Sequence, residues 1–245
     1  MGSEHPLAKP QISVWPDSAA LMEAAALRIA LIGQQAIAER GQFVWALSGG
    51  ATPRPLYELL GSKRFANVLD WSRVHFFWSD ERCVPPDHHD SNYRMARAAL
   101  LDALPISDAQ VRRMRAEDDP SEAAAAYDHA LRAQVQATGS LDLVLLGMGS
   151  DGHIASLFPG SAALSETQRW VVTNLSPAGA PRITLTLPAL NAAKVVLLLV
   201  AGADKAARVT EALRDPQAQL PVQRVRPTAG RIEWMLDAEA AAGLT

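Results

Sequence analysis

The chain has 245 residues, 49% hydrophobic and 20% charged, with a formal net charge of −3. That supplies a substantial core, in one large α/β domain or two small ones, and excludes an overall basic field for nucleic acid. An anionic ligand would therefore need a local cluster of cations. The single cysteine, Cys83, excludes an intrachain disulfide and is read as a packed thiol, in agreement with a reducing compartment.

The opening MGSEHPLAKPQ lacks the apolar run of a signal peptide, and residues 1–10 are expected to be flexible. Ile12–Trp15 reads as a short strand. Asp17 can cap a long alanine-rich helix to about Arg40, with Leu21, Ala25, Ile29 and Ile32 on one apolar face. A strand at Phe43–Leu47 ends in Ser48-Gly49-Gly50-Ala51-Thr52-Pro53, and Pro53 suits the first turn of a helix over Pro55–Leu60. A strand at Val74–Trp78 ends in Ser79-Asp80-Glu81-Arg82. A polar loop, Pro85–Asp90, then leads to a helix near Asn92–Leu101.

Val111–Met114 reads as a short strand and Ser121–Ala137 as a helix capped by Asp119 or Ser121. The strand beginning at Leu141 runs into a glycine-rich turn, with His153 placed where a helix can begin. Strands are expected at Trp170–Thr173, Arg182–Leu187 and Val195–Val200, a helical turn at Pro188–Ala193 and a helix at Asp204–Leu213. An extended piece near Val222–Val225 and a strand or helix from Arg231 complete the chain. The apolar run Val195–Ala203 is far short of the ~20 residues that span a bilayer, so no membrane partner and a cytoplasmic location are expected. The alternation predicts a single α/β domain whose mainly parallel sheet carries helices on both faces.

Three strand ends carry polar clusters, and ligands of open α/β sheets bind at such ends. At Ser48–Pro53, successive glycines expose main-chain N–H groups before a helix, a phosphate-binding arrangement to which Ser48 and Thr52 add hydroxyls. It is not a Walker A loop, because G-x-x-x-x-G-K-[ST] is absent. At Ser79–Arg82, three consecutive charges follow an apolar strand. At Gly147–His153, the turn brings together Asp151 and His153, a carboxylate and the one side chain that readily exchanges a proton near neutral pH. This turn fits G-x-G-x-x-G, but the acid expected at the end of the next strand in a dinucleotide site is missing. Arg182 and Lys205 are further cations that can reach the same edge. Asp87-His88-His89-Asp90 carries metal-binding residue types, yet adjacent residues rarely point at one ion, and no metal is expected.

In order along the chain, SGGATP (Ser48–Pro53), SDERCVPPDHHDSNY (Ser79–Tyr93), GMGSDGHIASLFPG (Gly147–Gly160), PRITLTLP (Pro181–Pro188) and AGADKA (Ala201–Ala206) resemble the 6-phosphogluconolactonases. The resemblance covers nearly the whole chain, with Ala51 and Ile154 standing where that family often has Ser or Thr. It implies the fold of glucosamine-6-phosphate deaminases and ribose-5-phosphate isomerases. It also implies hydrolysis of 6-phospho-D-glucono-1,5-lactone without a cofactor.

On that resemblance, His153 is the expected general base. Asp151 or Asp80 would hold the imidazole or sugar hydroxyls, and the turn's N–H groups or Arg82 would stabilise the oxyanion. Ser48, Gly49, Gly50, Thr52, Arg182 and Lys205 would hold the 6-phosphate. The expected partners are the lactone itself, a functional link to glucose-6-phosphate dehydrogenase, and at most a small homo-oligomer. The rival deaminase reading wants F-N-E-P after the D-G-H-I-A segment, where this chain has Ser156-Leu157-Phe158-Pro159. A non-catalytic sugar-phosphate sensor is the other alternative, and no basic recognition helix supports one.

Overall fold

The computed structural model describes residues 10–244. The flexibility expected over residues 1–10 falls, apart from Pro10, outside them. In chain order the strands are β1 (Gln11–Trp15), β2 (Phe43–Leu47), β3 (Val74–Trp78), β4 (Asp80–Arg82), β5 (Leu143–Leu146), β6 (Val171–Leu175), β7 (Pro181–Leu185), β8 (Val195–Val200) and β9 (Arg231–Asp237). The α-helices are α1 (Ser18–Arg40), α2 (Arg54–Leu60), α3 (Asn92–Ala99), α4 (Pro120–Thr138), α5 (Leu187–Asn191) and α6 (Ala206–Arg214).

Six strands form one parallel sheet in the order β1-β9-β8-β5-β2-β3. Its central strands are apolar throughout because both faces are covered. Successive residues serve opposite faces: Val44 and Ala46 of β2, Val144 and Leu146 of β5, and Val196 and Leu198 of β8 pack into one core with Tyr127 and Leu131 of α4 and Val209 of α6. Phe43, Trp45 and Leu47, with Leu143, Leu145 and Leu197, pack on the other side against α1, α2 and α3. The expectation of a parallel sheet with helices on both faces is met.

The long first helix follows from its ends and its stripe. The Asp17 side chain accepts the Ala20 N–H at 2.8 Å, a cap that stabilises by about 1 kcal/mol. Gly41, at φ 80°, ends the helix in the left-handed conformation. By length and composition alone α1 is long and apolar enough to cross a membrane. Here Leu21, Ala25, Ile29 and Ile32 are buried in the core against the sheet, while Leu27 and Leu31 of the same helix are exposed.

The structure corrects several local expectations. Asp80–Arg82, expected only as the polar end of the Val74–Trp78 strand, forms a strand of its own, β4, in a separate antiparallel sheet ordered β4-β7-β6. No helix begins at His153; residues 147–161 form an irregular loop of turns. Val111–Met114 contributes only a single bridge, Val111 to Phe76. Val222–Val225 is not extended, because Pro221 starts a 3₁₀ turn over Pro221–Arg224. The helix expected from Asp204 begins as a 3₁₀ turn, Ala203–Lys205, before α6.

The strand order reverses between β2 and β5. Chain growth runs outward from β2 to β3 on one side and from β5 through β8 to β9 on the other. The carboxyl ends at such a reversal leave a crevice between diverging connections. Ser48–Pro53 leaves β2 there, and the glycine turn leaves β5 beside it.

Candidate active site

The crevice holds a cavity of about 170 Å³. Ser48, Gly49, Gly50, Thr52, Asp80, Arg82, His153 and Lys205, all expected from the sequence, line it. Asp151 stands behind His153 rather than on the wall, and Arg182 lies to the side, opposite Arg82 in the β4–β7 register.

Buried hydroxyls fix the strand ends. The Tyr57 hydroxyl, from α2, accepts the Ser48 N–H at 2.9 Å and donates to the Ser48 carbonyl at 2.9 Å. The Tyr127 hydroxyl, from α4, does the same for Trp78 at the end of β3, at 2.6 and 3.3 Å. Each tyrosine thus satisfies both main-chain groups of a residue where the sheet stops, groups that would be costly to bury unpaired. Burial pushes both phenols well above their ordinary range, so they act as neutral hydrogen-bonding groups.

The glycine turn is shaped around the histidine. A Cβ at Gly149 would sit 2.1 Å from His153 Nδ1, so only glycine lets the imidazole lie against this backbone. The Gly149 N–H donates to the His153 carbonyl at 2.9 Å, and Gly152, at φ 82°, closes the turn with a bond to the Gly149 carbonyl at 3.0 Å. Asp151 Oδ1 lies 2.5 Å from His153 Nδ1 and accepts the His153 main-chain N–H at 3.1 Å. Phe158 packs against the ring, with centroids 4.7 Å apart. Nδ1 being engaged, Nε2 is left for chemistry in the cavity. Burial raises the Asp151 carboxyl, but the bonds from the His153 main chain and ring outweigh it and hold the group below the usual carboxylate range.

On the facing wall, the Asp80 carboxylate is tied by Ser156 and Asn92. Glu81, its neighbour, is turned away from the cavity. It accepts main-chain N–H groups of Arg82, Asn92 and Tyr93 at 2.7–2.8 Å and the Ser91 hydroxyl at 3.1 Å. Burial pushes the Glu81 carboxyl up, against the pull of those N–H groups. Glu81 therefore anchors the start of α3 and sets where Arg82 and Asn92 stand. Arg82 donates to the Asp90 carbonyl at 2.6 Å, and Lys205 pairs with Asp204 at 3.1 Å. Arg182 has no carboxylate partner among the described residues, and burial and the Arg82 charge push it below the ordinary guanidinium range. Arg82 on the crevice wall and Arg182 beside it, the latter bonded only to the Pro181 carbonyl and without a carboxylate partner among the described residues, favour an anionic ligand.

Sequence reasoning missed Asn92, Ser156, Glu81 and Tyr57. Asn92 and Ser156 are almost completely buried polar residues in or beside loops, and Asn92 fills the space a Gly49 side chain would need. The available signal was polarity next to glycine turns. Their partners lie 12 and 76 residues away from Asn92 and Ser156, a distance that motif spacing does not bridge. His88, His89 and Asp90 do lie close enough to share an ion, at the exposed rim of the loop after β4.

A family model described as glucosamine-6-phosphate isomerases/6-phosphogluconolactonase matches residues 16–234. A 6-phosphogluconolactonase of Synechocystis sp. is 43% identical over 243 residues, covering 96% of this chain and 98% of the relative. One of Nostoc sp. is 39% identical over 97% of this chain and 99% of its own. Among solved structures, the 6-phosphogluconolactonase from Trypanosoma cruzi superposes with a TM-score of 0.87 at 33% identity, covering 99% of both chains. That from Thermotoga maritima gives 0.82 at 32%, covering 94% of this chain and all of the other.

Proposed function

The chain belongs to the glucosamine-6-phosphate isomerase/6-phosphogluconolactonase family, and from that premise we propose that it hydrolyses 6-phospho-D-glucono-1,5-lactone to 6-phospho-D-gluconate, in the pentose phosphate pathway. The observation that carries this reading is the Asp151–His153 pair beside the Ser48–Thr52 loop at one crevice. A base and a phosphate cradle are the two things this reaction needs.

In the proposed reaction His153 Nε2 takes a proton from a water molecule, and the resulting hydroxide forms a bond to C1 of the lactone. The carbonyl π electrons move onto oxygen, where Arg82 or those N–H groups of the turn not already bonded within it oppose the charge. The intermediate collapses with cleavage of the C1–ring oxygen bond, and His153 returns its proton to the departing oxygen. Asp151 holds Nδ1 and stabilises the imidazolium between the two transfers. General acid–base assistance of this kind contributes roughly 10²–10⁴-fold. Ser48, Gly49, Gly50, Thr52 and Lys205 hold the 6-phosphate, with Arg182 at the flank. The chain, residues 1–245, would act as a single domain in this reaction.

The test is hydrolysis of freshly prepared lactone, read through 6-phosphogluconate dehydrogenase and compared with the spontaneous rate. Acceleration that His153→Ala abolishes is the expected result. A folded wild-type sample that does not accelerate the reaction overturns the reading.

A further inference from the structure

Asp80 has no place in the proton transfers assigned to His153. No hydrogen bond joins the two among the described residues, and Asp151 already occupies Nδ1. Yet Asp80 is a nearly buried carboxylate on the cavity wall, and both its oxygens are held. Ser156 donates its hydroxyl to Oδ2 at 2.7 Å, and the Asn92 side-chain amide donates to Oδ1 at 3.3 Å and to the Asp80 carbonyl at 2.9 Å. These partners are themselves fixed. The Ser156 N–H donates to the Thr184 hydroxyl at 3.1 Å, and its carbonyl accepts from Asn174 at 2.8 Å. The Asn92 N–H is taken by Glu81, and its side chain is wedged against Gly49. Two carboxylate oxygens offer about four acceptor sites, so these bonds leave acceptor capacity over.

We propose that Ser156 and Asn92 are positioning residues that fix the Asp80 carboxylate as acceptor for one hydroxyl of the lactone ring, and so set how strongly the enzyme requires that hydroxyl. The inference rests on the lactonase reading of the same site. A carboxylate held from behind by two donors cannot swing to follow a shifted ring. Its spare lone pairs therefore select for a hydroxyl at one place. A substrate lacking that hydroxyl leaves a buried acceptor unpaired, which is the stronger form of discrimination open to a binding site. Ser156 belongs to the loop that carries His153, and Asn92 abuts the loop that would carry the phosphate. The same bonds thus tie ring recognition to both ends of the substrate.

The experiment compares kcat/KM for 6-phosphogluconolactone and its 2-, 3- and 4-deoxy analogues in wild type, Ser156→Ala, Asn92→Ala and Asn174→Ala, each confirmed folded by circular dichroism. Wild type is expected to favour the parent over one deoxy analogue by roughly 10–100-fold. In Ser156→Ala and Asn92→Ala that ratio falls by roughly 3–10-fold, chiefly through slower turnover of the parent. Asn174→Ala removes a bond to the Ser156 carbonyl but leaves both donors to Asp80 in place, so it should lower the ratio less than Ser156→Ala does. Either of the first two variants suffices if the other does not fold. Equal losses on all four substrates, or a wild type indifferent to every ring hydroxyl, overturn the proposal while leaving the lactonase reading intact. A wild type that accelerates none of them overturns that reading instead.

Discussion

Asp151 and His153 are joined twice through one oxygen: Asp151 Oδ1 meets the His153 ring at Nδ1, 2.5 Å away, and the His153 main-chain N–H at 3.1 Å. Side chain and backbone of the histidine are thus oriented by the same atom, two residues upstream. The ring's free nitrogen is thereby determined, and with it the direction from which water must approach.

Replacing Asp151 with Ala should leave substrate binding nearly unchanged and lower kcat by roughly 10–10²-fold, because the imidazolium formed in the reaction loses its partner. A change in KM alone would show that Asp151 serves binding instead. Stability should respond with a definite sign. The folded carboxyl lies below its ordinary range, so its contribution is present above the unfolded value of about 3.9 and lost as pH falls through the lower folded value. The side chain is 42% exposed, which limits that contribution to less than about 1 kcal/mol. Melting temperatures of wild type and Asp151→Asn should therefore differ at pH 6 and converge toward pH 2.

Gly149→Ala should cost most of the activity without unfolding the chain. The added Cβ would lie 2.1 Å from His153 Nδ1 and 2.7 Å from Asp151 Oδ1, so the pair must separate. A Cβ at Gly147 meets nothing within 4 Å. Comparing kcat of Gly149→Ala with that of His153→Ala reads the effect: similar losses are expected, and near-wild-type turnover would show that the ring tolerates displacement.

Tyr57→Phe strands the buried N–H and carbonyl of Ser48 together and should destabilise by about 2–3 kcal/mol, measured by denaturant titration. Tyr127→Phe should destabilise comparably through Trp78. The two should part in kinetics: KM rises with Tyr57→Phe because Ser48 begins the proposed phosphate loop. Equal KM effects would argue that this loop does not contact the phosphate.

The layered fold was legible because it rests on local signals. FVWAL, LVLL and VVLLLV are short, wholly apolar runs bounded by turn residues, the pattern of central strands, and Asp17 and Gly41 bracket α1 by cap chemistry that acts within a few residues. Most proposed site residues were legible too, since glycines and charges at strand ends stand out against apolar surroundings. What was not legible depends on distant pairing. Asp80–Arg82 looks like a charged corner, and only its register with β7, a hundred residues on, makes it a strand. Ser156 reads as an ordinary loop serine until Asp80 is brought beside it. The choice between Asp80 and Asp151 as partner of the histidine also waited for the turn geometry.

Arg182 offers the most direct test of anion binding. Burial and the nearby Arg82 charge both disfavour its cation, and the more distant carboxylates of Asp80 and Asp90 offset them only in part. An incoming phosphate dianion would relieve that repulsion, so Arg182→Ala should raise KM by roughly 10–100-fold, the scale of a charge-assisted hydrogen bond, with little change in kcat. The same argument predicts linkage without substrate. Inorganic phosphate should raise the wild-type melting temperature in proportion to RT ln(1 + [L]/Kd), and the increment should shrink in Arg182→Ala. Because the cation is disfavoured in the unliganded protein, the variant alone should melt no lower than wild type. A variant that melts lower and keeps the full phosphate increment would mean that Arg182 supports the β4–β7 sheet and leaves the phosphate to Ser48, Thr52 and Lys205.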